Sequence, residues 1–279
     1  MSTYQESVAW GTRLLCDAQI PEAEVDAWYL FEHVTGLSRA SYFLKLQEEM
    51  PEAQKEVFRA VLEQRLQRIP LQYITRVQEF MGFPFEVSEA TLIPRQDTEV
   101  LVEQVMRYAE NARVLDLCTG TGCIIISLAK LCHLERAVGS DFSGEALETA
   151  KKNAEKLEAN VDFFCGDLWE ALPEKEAFDI IVSNPPYIPT AEISELMPEV
   201  REHEPMTALD GDADGLAFYR RIAERAGDYL TKDGRIFFEI GCEQAEDVSG
   251  LLREHGFGEI QVIKDYAGLD RVVCGKRQA

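Results

Sequence analysis

Between Arg113 and Cys274 short β-prone runs alternate with helical stretches, and no other feature restricts the fold of this chain as tightly. Arg113–Leu117, Arg136–Ser140, Val161–Cys165, Phe178–Ser183, Arg235–Ile240, Glu259–Ile263 and Arg271–Cys274 read as strands. Helical segments at 123–132, 143–158, 213–230 and 243–255 lie between them. Two parallel strands need a crossover, which helices supply, so the pattern predicts a seven-stranded, doubly wound, mostly parallel α/β sheet of the Rossmann-like kind. The last two runs are joined by Lys264–Asp270, too short for a crossover helix, and are expected to pair antiparallel at one edge.

The first seventy residues read as helices. After Pro51, Val57, Phe58, Val61, Leu62, Leu66 and Ile69 recur with helical period, and after Pro21, Val25, Trp28 and Tyr29 share a face. Such short helices bury little area alone, so a small all-α bundle is expected, either to dock a partner or to buttress its neighbour. Tyr73–Val77 and Phe83–Val87 are β-prone runs that flank Met81-Gly82, the pattern of a hairpin whose Pro84 belongs on an edge. Leu92-Ile93-Pro94-Arg95 is a stiff turn before a helix that starts near Asp97. The expected organisation is a bundle over 1–72, a hairpin linker over 73–95 and a catalytic domain over 96–279.

Charge narrows the partners. Fifty acids against 28 bases give −22 overall; residues 1–95 hold 14 acids and 9 bases (−5), and 96–279 hold 36 and 19 (−17). A chain so acidic is repelled by phosphate backbones and anionic bilayers, so direct nucleic-acid binding and membrane attachment are not expected. Seven scattered cysteines without a C-x-x-C pair and four isolated histidines form neither a disulfide framework nor a metal site. With no secretory signal and no apolar run near the ~20 residues that span a bilayer, a cytoplasmic location is expected.

Three strand ends carry ligand-binding chemistry. Asp116-Leu117-Cys118-Thr119-Gly120-Thr121-Gly122 leads from the first strand into a helix, where glycines admit a ligand close to the backbone; the plain alternative is a tight structural turn. Asp141 ends the second strand, where a carboxylate can accept both hydroxyls of a ribose, or cap the helix that follows. Asp167 and Trp169 follow the third strand, where a carboxylate can accept an adenine amino hydrogen and an indole can stack on the ring, unless Trp169 is a core anchor. Three such groups in succession favour a nucleoside ligand. A dinucleotide turn wants a third glycine where this chain has Ile125, which argues for S-adenosylmethionine over NAD.

The fourth strand ends in Asn184-Pro185-Pro186-Tyr187. Two prolines remove two backbone donors and stiffen the loop, leaving its carbonyls free to accept. Asn184 adds a side-chain acceptor and Tyr187 a flat apolar face. The group suits a planar –NH2: two acceptors take its hydrogens, stabilise the charge that grows on nitrogen and aim the lone pair at an electrophilic methyl.

Residues 114–122 and 184–187 resemble the class I S-adenosylmethionine-dependent methyltransferases. Ile69-Pro70-Leu71-Gln72-Tyr73-Ile74, Leu92-Ile93-Pro94-Arg95 with Thr98-Glu99, Glu204-Pro205 with Ala208-Leu209, Asp214-Gly215-Leu216 and Gly268–Val273 narrow the likeness to the PrmC/HemK family, the peptide chain release factor glutamine N(5)-methyltransferases. The resemblance implies methylation of the glutamine amide in a Gly-Gly-Gln loop of release factors, with S-adenosylhomocysteine as product. It implies that Asn184 and Pro185 hold the amide and Pro186 and Tyr187 shape its slot. Asp116, Cys118, Thr119, Gly120, Thr121, Gly122, Asp141, Asp167, Trp169 and Asn184 would serve the cofactor. Cys118 stands where the family often has glycine, and Gln96 where it usually has proline. The tetrapeptide is shared with adenine-N6 enzymes, so an adenine or guanine amino-methyltransferase on RNA or DNA is the competing reading, and a silent nucleoside-binding module the third.

Overall fold

In a computed structural model that describes residues 2–172 and 176–278, the apolar stripes of the first seventy-five residues form α1 (Tyr4–Asp17), α2 (Ala23–Thr35), α3 (Arg39–Lys45), α4 (Glu52–Leu66) and α5 (Leu71–Thr75). Thr3 starts α1 with a capping box: its side chain accepts from the Glu6 N–H while the Glu6 carboxylate accepts from the Thr3 N–H. Such a cap is worth about 1 kcal/mol. Phe31 centres the bundle, meeting Tyr4, Tyr42 and Phe58 edge-on at centroid distances of 5.7, 5.4 and 5.9 Å.

Two sequence expectations change here. The buried face of α2 carries Ala23, Ala27, Trp28, Leu30 and Phe31, while Val25 and Tyr29 are exposed, because the larger Leu30–Phe31 pair turns the helix toward the core. Tyr73–Thr75 is helical, not strand. Pro70 (φ −53°, ψ 140°) sets the entry to α5, Tyr73 and Ile74 are buried, and Arg76 ends the turn with a left-handed φ of 64°.

Contacts divide the chain into two units, Met1–Val77 with Met197–His203 and Gln78–Leu196 with Glu204–Ala279. Within the first, Arg65 is buried and donates from Nε to Asp26 (2.6 Å) and from Nη2 to Glu199 (3.0 Å); Arg68 also reaches Glu199 (3.2 Å). Glu199 lies on α9 (Pro198–His203), a helix that the sequence pattern did not suggest. The chain reaches it after α6 (Gln96–Met106), α7 (Cys123–Leu131) and α8 (Gly144–Lys156), which belong with the sheet.

A hairpin follows where the first unit ends, β1 (Val77–Phe80) and β2 (Phe83–Glu86), turned at Met81 and Gly82, both with positive φ as a type I′ turn needs. Asn153 of α8 is fully buried and fastens this hairpin. It accepts from Glu86 N–H (2.7 Å) and donates to the carbonyls of Glu86 and Thr121 (both 3.0 Å). The main sheet contains β3 (Arg113–Leu117), β4 (Arg136–Asp141), β5 (Asp162–Cys165), β6 (Phe178–Ser183), β7 (Leu230–Glu239), β8 (Phe257–Lys264) and β9 (Asp270–Arg277) in the order β5-β4-β3-β6-β7-β9-β8. The pairs from β5 through β7 are parallel, and β9 is antiparallel to both β7 and β8, as the short 264–270 link required. Leu115 sits between Val138 and Ile181, so the first strand is central and buried on both sides. Two further helices, α10 (Ala217–Tyr229) and α11 (Ala245–Glu254), cover the β6–β8 half. Gln96 is the first residue of α6, where proline would be accommodated because that N–H has no partner within the helix. No helix among the described residues is long and apolar enough to cross a membrane.

Arg65→Met preserves length, strands the buried Asp26 carboxylate and leaves Glu199 with Arg68 alone. It is expected to cost about 3–5 kcal/mol of stability in urea unfolding followed by tryptophan fluorescence, and a loss below about 1 kcal/mol would contradict the account.

Candidate active site

Strands β3 and β6 are neighbours, yet the chain leaves β3 toward β4 and leaves β6 toward β7. The crevice at their carboxyl ends is therefore the switch point of the sheet. A cavity of about 440 Å³ opens there. Ser183 Oγ donates to the Leu117 carbonyl at 2.7 Å and ties the two strand ends together.

The turn after β3 depends on left-handed backbone. Cys118, Gly120 and Gly122 have φ of 62°, 54° and 78°. The first explains why glycine suits that position, since a Cβ in this region costs about 1–2 kcal/mol. A Cβ on Gly120 would point into open space, whereas one on Gly122 would meet Ile126 Cδ1 at 2.7 Å. Asp141, at the end of β4, holds the turn in place: Oδ2 accepts from Gly120 N–H (2.8 Å) and Oδ1 from Ser143 N–H (2.9 Å). Burial raises its pKa, and these backbone donors oppose the shift. Ser143, not Asp141, caps α8, accepting from Ala146 N–H.

Cys118, Thr119, Gly120, Thr121, Asp141, Asp167, Asn184 and Pro186 all line the cavity. Asp167 pairs with Arg221, which also lines the cavity, at 2.6 Å. Three expected cofactor residues do not line it. Asp116 is fully buried beneath the turn, where Thr119 Oγ1 donates to it at 2.5 Å. Gly122 is the N-cap of α7. Trp169 faces the core, stacked on Tyr229 at 4.5 Å with Nε1 donating to the Arg221 carbonyl (3.1 Å), so the core-anchor alternative holds and adenine stacking by this indole does not. The 3-10 turn over Leu168–Ala171 swings the ring inward. The cavity wall carries an exposed aromatic, Phe142, which follows Asp141 directly and was not singled out from sequence, and the half-buried Phe218.

Pro185 and Tyr187 are not among the residues that line the cavity. Among the described residues no hydrogen bond ends on the Pro185 carbonyl. Tyr187 packs on the β6–β7 core and its hydroxyl donates to Glu239 Oε1 at 3.4 Å. Its backbone is gripped closely. Gln244 Nε2 donates to the Tyr187 carbonyl (2.9 Å), and a Cβ on Gly215 would come within 2.3 Å of that same oxygen. The Ile188–Asp210 bridge continues the grip, which accounts for the Ala208-Leu209 and Asp214-Gly215-Leu216 segments. Arg95, a residue that sequence left between two roles, lines the cavity and pairs with the buried Glu204, which also accepts from Ile93 N–H (3.4 Å).

Two buried carboxyls lie under the site. Burial pushes Asp116 up to about 7, with the Thr119 hydroxyl opposing and the Asp141 charge adding. Burial likewise pushes Glu239 to about 7 against the Thr98 hydroxyl and the Arg271 charge. Glu239, on the last residue of β7, was missed; only the Thr98-Glu99 pair was noticed, and as part of a likeness.

A PrmC N-terminal domain model matches residues 6–75 and a methyltransferase domain model residues 114–205. The chain is 41% identical over 275 residues to the release factor glutamine methyltransferase of Geobacter sulfurreducens, covering 98% of this chain and 96% of that protein. It is 41% identical over 269 residues to the protein of that name in Agrobacterium fabrum, covering 93% and 92%. A crystal structure of a methyltransferase from Pyrococcus furiosus shares the fold, with a TM-score of 0.56 at 16% identity over 72% of this chain and 91% of that one.

Because the folded-state pKa of Glu239 lies above its unfolded value of 4.5, its neutral form contributes stability below pH 4.5 that is lost as pH rises through about 7. Glu239→Gln removes that loss. The variant is expected to gain on the wild type across this window, by up to roughly 3 kcal/mol, in urea titrations at stepped pH; a pH-independent difference would refute the assignment.

Proposed function

The chain belongs to the release factor glutamine methyltransferase family, and on that premise we propose that it transfers a methyl group from S-adenosylmethionine to the side-chain amide nitrogen of the Gly-Gly-Gln glutamine in peptide chain release factors. The observation that carries this reading is Asn184 on the wall of a nucleoside-sized cavity at the switch point, followed by Pro185, whose carbonyl receives no hydrogen bond among the described residues.

The cavity residues fit the cofactor. The open direction above Gly120 is a cradle that a side chain would fill. Asp141 presents its remaining lone pairs for the ribose hydroxyls, Asp167 an acceptor for the adenine amino group, and Phe142 an aromatic face in place of Trp169. S-adenosylmethionine, when bound, supplies an electrophilic methyl group. The protein's part is to make the amide nitrogen nucleophilic. An amide lone pair is delocalised into its carbonyl, and acceptors on both hydrogens stabilise the positive charge that localisation produces. Asn184 Oδ1 and the Pro185 carbonyl are those acceptors. Pro186 walls the slot, and Tyr187 holds the loop from behind through Glu239. No strong base is needed, since the methylated nitrogen is acidic enough to lose its proton once transfer is complete.

We assign the helical bundle, with its PrmC N-terminal domain match, to docking of the release factor. The strongly acidic second half supports a protein substrate over a nucleic acid, whose phosphates it would repel.

The deciding measurement is mass spectrometry of release factor treated with labelled S-adenosylmethionine, expected to place one methyl on the Gly-Gly-Gln glutamine. Label in RNA or DNA and none in the protein would move the assignment to base methylation. Asn184→Ala is expected to lower kcat about 10²–10³-fold with cofactor affinity within a few-fold, since a contact made mainly in the transition state is lost. Asp141→Ala is expected to act chiefly on cofactor affinity by calorimetry; equal losses of rate and affinity in both variants would contradict the division of roles.

A further inference from the structure

We propose that Arg221 is a positioning residue that aims the Asp167 carboxylate at the exocyclic amino group of the cofactor's adenine. The inference rests on the reading of Asp167 as the acceptor for that group and goes beyond it. The two oxygens of a carboxylate are equivalent until a partner distinguishes them. Here the partner comes from 54 residues further along the chain.

Left to its own neighbours, Asp167 would turn another way. It is the N-cap of the 3-10 turn over Leu168–Ala171, a place where an aspartate ordinarily accepts from a backbone N–H of the turn that follows. Its side chain makes no such bond. Instead Oδ2 accepts from Arg221 Nη2 at 2.6 Å, and no hydrogen bond ends on Oδ1 among the described residues. Both side chains line the cavity. A half-exposed pair of this kind adds little to stability, so the local cap is given up for presentation of the carboxylate and not for strength.

Arg221 is itself held. Trp169 is buried at 4% exposure and grips α10 at two points. Its ring stacks on Tyr229 with centroids 4.5 Å apart, and its Nε1 donates to the Arg221 carbonyl at 3.1 Å. Arg221 therefore meets the 3-10 turn region twice, at Trp169 through its backbone and at Asp167 through its side chain. The guanidinium also lies 5.8 Å from the centroid of the Phe218 ring, one helical turn earlier on the same helix and on the same cavity. An arginine restrained in this way has less rotamer freedom left to lose on pairing, so Asp167 is set before a ligand arrives.

Removal of the guanidinium returns Asp167 to its local choice, the N–H groups of its own turn, and the adenine amino group loses a directed acceptor. Only a ligand that carries the amino group registers that loss.

The test is calorimetry on the full chain with two probes, S-adenosylhomocysteine and its analogue with unsubstituted purine in place of adenine. The analogue forfeits a hydrogen bond to a carboxylate, so wild type is expected to bind it about 10-fold or more less tightly. In Arg221→Met, which keeps the length of the stem and removes the donors, this ratio is expected to fall to within about three-fold. The purine analogue itself is expected to bind that variant within about three-fold of wild type, which also shows that the variant is folded. Arg221→Lys keeps a cationic donor and is expected to recover most of the ratio, since one contact and not a bidentate fork is used. Asp167→Ala is expected to abolish the ratio, and the Asp167→Ala/Arg221→Met double variant to change it no further, because both act on one contact. If wild type discriminates between the probes and Arg221→Met, weakened toward both alike or toward neither, discriminates equally, the proposal is overturned alone. If wild type binds both probes equally well, the reading of Asp167 fails and takes the proposal with it.

Discussion

Strands β3 and β6 lie side by side, and the chemistry of this protein depends on that adjacency. A parallel sheet must send its crossovers somewhere, and here they part on either side of the β3–β6 pair. The parting opens a crevice at the strand ends. One wall is the left-handed turn after Leu117 and the other the proline loop after Ser183, with the Ser183–Leu117 hydrogen bond holding them together at their base. A glycine turn and an Asn-Pro-Pro-Tyr loop separated by more than sixty residues become two sides of one site for this reason alone.

Around this crevice, groups are held at some energetic cost. Cys118 occupies a backbone region meant for glycine, Asp116 is sealed under the turn with one oxygen unpartnered among the described residues, and Glu239 is sealed behind the loop in the same condition. Each lies within one or two residues of a strand end. A fold selected for stability alone would place apolar or amide side chains there, since an ionised carboxyl out of water is disfavoured by several kcal/mol. Their concentration at the switch point marks where stability gives way to orientation of backbone and side-chain dipoles. In the bundle, buried Arg65 is met by two carboxylates on distant segments, and there the charges fasten structure, although Glu199 also keeps one buried oxygen without a partner among the described residues.

The errors of the sequence reading share one cause. Period and residue type disclose that a side chain is part of an element, but not which way the element turns once packed. Trp169 has the composition and the place of a base-stacking indole, and a single 3-10 turn aims it at Tyr229 instead. Val25 and Tyr29 obey helical spacing, yet Leu30 and Phe31 outweigh them for the core. Tyr73 and Ile74 are β-prone by type, but Pro70 sets up a helical turn before they can pair. Glu239 gave no signal at all: a glutamate after a run of apolar residues is indistinguishable from an exposed strand end.

Sequence alone determined the alternation of strands and helices, the antiparallel edge imposed by a short link, the helical bundle, and the residue types that the two loops present. These follow from local periodicity, glycine and proline stereochemistry and the donor and acceptor inventory of the side chains, which neighbours cannot alter. Tertiary structure alone decided that Arg65 would meet Glu199, that Asp141 would brace the turn, that Phe142 rather than Trp169 would face the cavity, and that Glu239 would meet the Tyr187 hydroxyl. Those outcomes depend on which surfaces come together across long stretches of chain. Orientation and desolvation exist only once packing has chosen them.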